Sequence, residues 1–291
     1  MNARLETLLR SSRRPLVQLG TVRVPIEKFY ADRGTHLAAM IAYFALLSFV
    51  PLLFLTLAML GFAGRADEST YVVTELKRAF PGASVDTIVE VVRSIQRNAA
   101  TLGIVGGLIL AWTSLSLFSA LESAFNIVYG RPNRPFLRGK GVAVFLLLSS
   151  LVTLFAGLLA GSLGAGVLRD YAPGVIGNDT VASTLSVAAS ALTVFVFLVS
   201  VYYLLTNVRH RFRSVLPGAV VATVLLETTF QMLPLYGDYA QENRALQIGT
   251  PAVLIVWLYL MANVIVFGAE INWWWAQRGR RGEAEEVPGL A

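Results

Sequence analysis

Long apolar stretches separated by short polar and basic segments dominate this chain. Each stretch is about as long as a helix must be to cross the hydrocarbon core of a membrane. They occupy residues 37–62, 103–128, 142–168, 184–205, 216–236 and 251–273. No strand-like alternation of apolar and polar residues competes with them. The pattern predicts an all-α, polytopic membrane protein with six transmembrane helices, which form one domain over residues 36–275.

The remaining segments fit short amphipathic interfacial helices or tails. In the cytoplasmic N-terminal segment, residues 1–35, Pro25 is well placed to open a helix that lies in the membrane surface. Its predicted lipid-facing side chains are Ile26, Phe29 and Tyr30, and its predicted water-facing side chains are Glu27, Lys28 and Arg33. Residues 65–101 fit two extracytoplasmic helices, either packed on the spans or forming a lid. Residues 276–291 are a polar cytoplasmic tail.

The composition favours a membrane protein over a soluble one. Hydrophobic residues make up 55% of the 291 residues and charged residues only 14%, whereas a soluble domain carries about a quarter charged residues. The absence of cysteine excludes disulfides, thiolate metal sites and cysteine nucleophiles. The two histidines, His36 and His210, have no third histidine or carboxylate cluster beside them. We therefore expect neither a metal site nor a cofactor.

The basic residues indicate how the spans are oriented. Most of the 24 Lys and Arg residues lie in the N-terminal segment, in the second and fourth loops and in the C-terminal tail, and none lies inside a predicted span. By the positive-inside rule, both termini are predicted to be cytoplasmic. The net charge of +6 is then explained by topology and by anionic lipid headgroups at the Arg and Lys loops. No nucleic-acid partner is expected.

One carboxylate lies where a membrane helix accommodates it least easily. Glu227 is near the middle of the apolar run Leu216–Leu235, which contains no Lys or Arg. A carboxylate at that depth is costly unless it is neutral, partnered or facing water. The sequence therefore predicts a site for substrate, protons or ions at Glu227, with Gln231, Asn263 and tyrosine or threonine hydroxyls as candidate partners. A purely structural role is the alternative.

Two further carboxylates, Glu122 and Glu270, lie near the predicted cytoplasmic ends of the second and sixth spans. Asn126 and Asn272 accompany them. Near an interface a carboxylate can reach headgroup water or pair with a loop arginine, so structural anchoring is the favoured interpretation of both. Glu122, Asn126 and Glu270 are also included in the hypothetical polar site.

Other patterns in the spans have simpler explanations. Pro51 removes a helical hydrogen bond and predicts a kink in the first span. Gly157 and Gly161 have the spacing of close helix packing in the third span, either within one subunit or between two, so an oligomer is left open. The tryptophans where the sixth span meets the cytoplasmic interface are predicted anchors; they are Trp273, Trp274 and Trp275.

Several short motifs, in their order and spacing, resemble the YihY/BrkB family of bacterial inner-membrane proteins. They are the run from Ala39 to Pro51, Leu110–Ser114 with Ala124–Asn126, Leu216–Ala219, and Trp257–Tyr259 with Gly268–Asn272. The resemblance extends from about Lys28 to Trp275. It implies a multi-pass inner-membrane protein with six helices and cytoplasmic termini, in agreement with the charge pattern.

The resemblance leaves three classes of function to weigh. Family members are similar to proteins labelled as a tRNA-processing ribonuclease, as virulence or serum-resistance factors, and as transporters of lipids or envelope precursors. A nuclease needs carboxylates or histidines gathered around a metal, and this chain has two distant histidines. A non-enzymatic transporter or translocase of a lipid or another amphiphile is therefore favoured. The alternative is a scaffold for envelope assembly or serum resistance that acts through residues 65–101, and a membrane-bound ribonuclease comes last.

Overall fold

The computed structural model describes residues 23–62, 99–152, 179–208, 211–242 and 250–285. Within these ranges the chain is helical apart from short turns and contains no strand, so the predicted all-α class is confirmed. Most of the predicted loop 65–101 lies outside the described residues, as do Gly157 and Gly161.

The described chain consists of α-helices joined by short turns. In chain order they are α1 (Arg23–Ala31), α2 (Gly34–Phe62), α3 (Ala99–Val128), α4 (136–152), α5 (Asp179–Leu205), α6 (Leu216–Glu242) and α7 (Thr250–Glu285). A 3-10 turn, Phe212–Ser214, leads into α6. The last helix continues past Trp275 into the segment predicted as a polar tail.

Three of the described helices are long and apolar enough to cross a membrane. These candidate spans are Gly107–Val128 in α3, Val187–Leu205 in α5 and Leu254–Arg278 in α7. Helices α2 and α6 contain shorter apolar segments, Gly34–Phe49 and Leu216–Met232. Every predicted span that is fully described lies within one helix, and the predicted span 142–168 is described only as far as residue 152. The number of six spans therefore stays a prediction.

The first helix packs on the bundle through one of its faces, and its position in the membrane surface stays a prediction. Phe29 is only 8% exposed, and its ring meets that of Phe267 in α7 edge to face, with 6.0 Å between the centroids. The turn into α2 requires glycine at position 34, because a methyl group there would overlap the Phe29 ring. Burying an aromatic ring removes much apolar surface from solvent. The prediction that Phe29 faces lipid is wrong for this reason.

Among the side chains that the structure describes, most of the buried core lies at one end of the bundle. There the C-terminal parts of α3, α5 and α7 meet the N-terminal parts of α2 and α6, as in a bundle whose helices run up and down. The largest buried apolar side chains at this end are Phe125, Val128, Leu198, Val201, Tyr202, Leu205 and Val266. We call it the basic end, because α1, the loop 129–135 and residues 211–215 bring their Lys and Arg residues to it.

Helices α6 and α7 cross closely at two glycines. A methyl group on Gly218 would overlap the carbonyl oxygen of Gly268, and one on Gly268 would overlap the Tyr202 hydroxyl. Beside the crossing, Asn272 Oδ1 accepts a hydrogen bond of 2.7 Å from the Gly218 amide. This bond satisfies one of the amides that the first turn of a helix leaves without a partner. The start of α6 is thereby fixed against α7.

Candidate functional site

Glu122 of α3 is held by the loop that follows its own helix. Its Oε1 accepts a hydrogen bond of 3.1 Å from the Arg134 amide and one of 3.4 Å from the Arg134 guanidinium. Of the two options expected for this carboxylate, headgroup water or a loop arginine, the described contacts are those with the arginine.

The same guanidinium caps the end of α5. It donates to the carbonyl of Leu204 at 2.9 Å, to that of Thr206 at 2.8 Å and also to that of Leu205. The last carbonyls of a helix have no partner inside it, and a cation at that end also interacts favourably with the helix dipole. Arg134 therefore ties the carboxylate of α3 to the end of α5.

Asn126 joins the two loops at the basic end. Its Nδ2 donates to Asn133 Oδ1 at 3.0 Å, and its Oδ1 accepts from the Asn207 amide at 2.8 Å. The Asn207 side chain in turn donates to the Pro132 carbonyl at 3.1 Å. Since Asn126 is fully buried, both ends of its amide are used where water cannot replace them. Its observed contacts are those of a structural residue beside Glu122.

Lys28 of α1 joins three helices through one ammonium group. Its Nζ lies 3.0 Å from Glu270 Oε2 of α7 and donates to the Val128 carbonyl, at the end of α3, at 2.7 Å. It also pairs with Asp32 and lies over the Trp273 ring, 4.5 Å from the centroid. With 17% of its side chain exposed, Lys28 does not face water as predicted. The reason is that the docking of α1 carries it into the core.

The Lys28 ammonium is the counter-charge of the buried Glu270 carboxylate, which was not expected from the position of Glu270 in the sequence. Its side chain is 0% exposed, so it does not reach headgroup water, and its cation comes from α1 instead of from a loop arginine. Neither of its oxygens has a hydrogen bond of normal geometry within the described part of the chain. The approach of Lys28 is thus a charge contact, and a buried charge without its counter-charge is strongly destabilising.

Glu227 lies apart from the basic end, on α6. At about 1.5 Å per residue, it is roughly 16 Å along the helix from Leu216, which is about half of a hydrocarbon core ~30 Å thick. Its Oε1 accepts a hydrogen bond of 2.8 Å from Ser190 Oγ of α5. Glu227 is half-buried and Ser190 is exposed, so the pair is open to the outside of the bundle. We call this pair the Glu227–Ser190 site.

The predicted partners of Glu227 are engaged elsewhere or exposed. Asn263 donates through Nδ2 to a carbonyl of its own helix at 2.7 Å, and Gln231 is exposed on α6. In the ranges that the structure describes, neither forms the hydrogen bond to Glu227 that Ser190 forms. The observed partner is a serine hydroxyl, whereas the sequence had indicated Gln231, Asn263 and tyrosine or threonine hydroxyls.

Ser190 carries no sequence signal that separates it from other hydroxyls in the spans. A serine or threonine within a helix commonly donates to a carbonyl three or four residues earlier, as Thr193 and Ser200 of α5 do. Which hydroxyl reaches across to a neighbouring helix depends on the rotation of α5 against α6. That rotation is set by packing and is not visible in residue spacing.

The other predicted positions have simpler placements. Pro51 lies inside α2, and the kink in the first span stays a prediction. Trp273 is half-buried and packs against Lys28, whereas Trp274 lies near Arg278, whose guanidinium is 4.3 Å from the ring centroid. Trp275 is 47% exposed. Anchoring in the membrane interface stays a prediction for all three tryptophans.

No cluster suited to a metal ion is found among the residues that the structure describes. There, no three His, Asp or Glu side chains come together closely enough to hold a metal ion. His36 is exposed near the start of α2, and His210 lies outside the described ranges. The carboxylates at the basic end are instead paired with basic side chains.

Comparison with known sequences identifies the family. The profile described as virulence factor BrkB matches residues 26–289. A UPF0761 membrane protein of Chromohalobacter salexigens is 29% identical over 278 residues, which are 90% of this chain and 64% of that protein. A UPF0761 membrane protein of Pseudoalteromonas translucida is 28% identical over 254 residues, 85% of this chain and 83% of that protein.

A third relative has a different name. YfkH of Bacillus subtilis, named as a ribonuclease-like protein, is 26% identical over 256 residues, which are 84% of this chain and 91% of YfkH. No solved structure matches the chain. The profile match covers most of the chain, and relatives of similar length or longer are named as membrane proteins. The chain belongs to the virulence factor BrkB family of membrane proteins.

Proposed function

We propose that this chain moves a lipid or another amphiphilic envelope precursor across the bacterial inner membrane, and that the Glu227–Ser190 site contacts the polar part of that substrate. The observation that carries the proposal is the 2.8 Å hydrogen bond from Ser190 to Glu227, between two apolar helices. Placing a polar pair at this depth in lipid is energetically costly, so its presence there favours a functional role over an incidental one.

The exposure of the pair favours an amphiphile over a small solute. Because Glu227 is half-buried and Ser190 exposed, the pair faces the side of the bundle. A substrate whose headgroup contacts the pair can keep its acyl chains in the bilayer. The headgroup then exchanges water for a carboxylate and a hydroxyl, which reduces the cost of its passage through hydrocarbon.

The basic end supplies the fixed part of this mechanism. Lys28 and Arg134 each connect several helices there, whereas the Glu227–Ser190 site lies away from those contacts. Arg131, Arg138 and Arg213 are exposed at the same end, and we assign them to anionic headgroups of the cytoplasmic leaflet, as the positive-inside rule implies. Both termini are then cytoplasmic.

A ribonuclease activity is less well supported, although YfkH carries that name. Metal-dependent cleavage of RNA needs several carboxylates or histidines around one or two ions. In the described ranges, Glu122 faces Arg134 and Glu270 faces Lys28, which leaves them as members of ion pairs. We therefore propose a non-enzymatic role. The scaffold alternative, which is also non-enzymatic, relies on residues 65–101, most of which lie outside the described chain.

The proposal predicts that Glu227→Gln slows lipid movement strongly while the protein still folds. The glutamine amide oxygen still accepts a hydrogen bond but carries no charge, and a charge-assisted bond is about twice as strong as a neutral one. A loss of ~1.4 kcal/mol corresponds to a roughly tenfold decrease in rate. The measurement uses proteoliposomes that contain a phospholipid with a fluorescent acyl chain, and an impermeant reductant bleaches the label in the outer leaflet. Ser190→Ala should slow movement less, because Glu227 keeps its charge.

Two control variants separate this effect from general damage. Thr228→Val removes a hydroxyl next to Glu227 that donates to its own helix at 2.8 Å, and Glu27→Gln neutralises an exposed carboxylate on α1. Both should move lipid at the unaltered rate. Equal rates for Glu227→Gln and the unaltered protein, or no lipid movement by the unaltered protein, would contradict the proposal.

A further inference from the structure

The hydroxyl that contacts Glu227 uses its proton within the protein. Ser190 donates through Oγ to Glu227 Oε1 at 2.8 Å. Since a hydroxyl carries one proton and two lone pairs, Ser190 is left with lone pairs to offer a ligand. Glu227 and Ser190 together therefore present acceptors, and no spare donor, to a ligand.

The carboxylate itself has unused acceptor capacity. A carboxylate can accept about four hydrogen bonds, and within the described part of the chain Ser190 supplies one of them, to Oε1. Glu227 is only half-buried, so a ligand can approach it from the side of the bundle. Such a ligand forms good bonds only if it is a hydrogen-bond donor.

Among the residues that the structure describes, no Lys or Arg forms an ion pair with this carboxylate. No Lys or Arg lies inside a predicted span. At the basic end, Lys28 and Arg134 are occupied by Glu270, Glu122 and helix carbonyls. A ligand that brings its own cation therefore gains most, because a charge-assisted hydrogen bond is about twice as strong as a neutral one.

We propose that the Glu227–Ser190 site selects a polar group that carries a primary ammonium, as the headgroup of an aminophospholipid does. The inference rests on the proposed function and names its substrate class. A primary ammonium has three N–H donors and a positive charge, so it matches both the empty acceptors and the missing counter-charge. A quaternary ammonium has the charge without the donors, and a glycerol headgroup has donors beside a net negative charge.

The test compares three phospholipids with the same labelled acyl chain in the proteoliposome assay. Phosphatidylethanolamine should move about tenfold faster than phosphatidylglycerol, a difference of ~1.4 kcal/mol, with phosphatidylcholine between them. In the Glu227→Gln variant, phosphatidylethanolamine and phosphatidylglycerol should move at similar rates. Thr228→Val is the matched control and should keep the preference of the unaltered protein.

A competition experiment separates a lipid headgroup from a free amine as the source of the ammonium. Free ethanolamine, added to both sides of the vesicles, should slow phosphatidylethanolamine movement only weakly if acyl chains contribute to binding. If ethanolamine stops the movement at low concentration, while glycerol does not, the site takes the free amine and the lipid assignment is wrong. The ammonium chemistry then stands.

The remaining outcomes distinguish the two proposals from each other. Equal movement of all three lipids, with a loss of movement in Glu227→Gln, overturns the ammonium preference and leaves the proposed function intact. Faster movement of phosphatidylglycerol also overturns the preference. If no lipid moves with the unaltered protein, the proposed function fails, and the substrate class fails with it.

Discussion

Lys28→Met should lower the free energy of unfolding by about 3–5 kcal/mol, the usual cost of leaving a buried charge without its partner. Glu270 has a fully buried side chain, and within the described residues its oxygens have the Lys28 ammonium as their only counter-charge. The variant also removes the hydrogen bond to the Val128 carbonyl at the end of α3. The measurement is the unfolding midpoint of the detergent-purified protein, followed by size-exclusion chromatography after heating.

The partner substitution makes this experiment decisive. In the double variant Lys28→Met with Glu270→Met no buried charge is left alone, so most of the lost stability should return. Arg23→Met breaks an exposed pair with Glu27 on the same helix and should change the midpoint little, since exposed pairs contribute about 0–1 kcal/mol. A double variant less stable than Lys28→Met would show that Glu270 is not held by the charge of Lys28.

Among glycine-to-alanine substitutions at the described glycines, Gly218→Ala should lower the stability of the protein most. The added carbon would overlap the backbone carbonyl of Gly268 and crowd Asn272. A backbone atom cannot rotate away as a side chain does, so α6 and α7 must separate, and overpacking of this kind costs about 1–3 kcal/mol or more. The amide bond from Gly218 to Asn272 is expected to be lost with the separation.

Gly107→Ala is the matched control for this prediction. A methyl group at Gly107 of α3 would meet no atom within 4 Å, and alanine is the better helix former by about 1 kcal/mol. This variant should be at least as stable as the unaltered protein in the same heating experiment. Equal stability of Gly218→Ala and Gly107→Ala would mean that the two helices do not meet closely at Gly218 and Gly268.

The sequence predicted the class of the protein because hydrophobic length is a local property. Apolar runs and the distribution of Lys and Arg are read directly from the chain, and the described helices follow the predicted spans closely. The pairing of Glu122 with a loop arginine was also predictable, since Arg134 follows in the next loop.

The contacts between distant segments could not be predicted in the same way. Lys28 and Glu270 are far apart in the chain, and their contact depends on the docking of α1, which a surface-helix pattern does not specify. Ser190 is likewise one of several hydroxyls in its span, and only helix rotation makes it the partner of Glu227. The Gly218–Gly268 crossing has no short-range spacing motif, because its two glycines belong to different helices.

Because these 291 residues contain no cysteine, the Glu227–Ser190 site can be tested directly during transport. The single cysteine of the Ser190→Cys variant is treated with a small membrane-permeant thiol reagent, and lipid movement is measured before and after. Ala188→Cys, also exposed on α5 but on another face of the helix, is the control. We expect modification at position 190 to stop lipid movement and treatment of the control to leave it unchanged. Full modification at position 190 with lipid movement at the original rate would contradict a role of this site in transport.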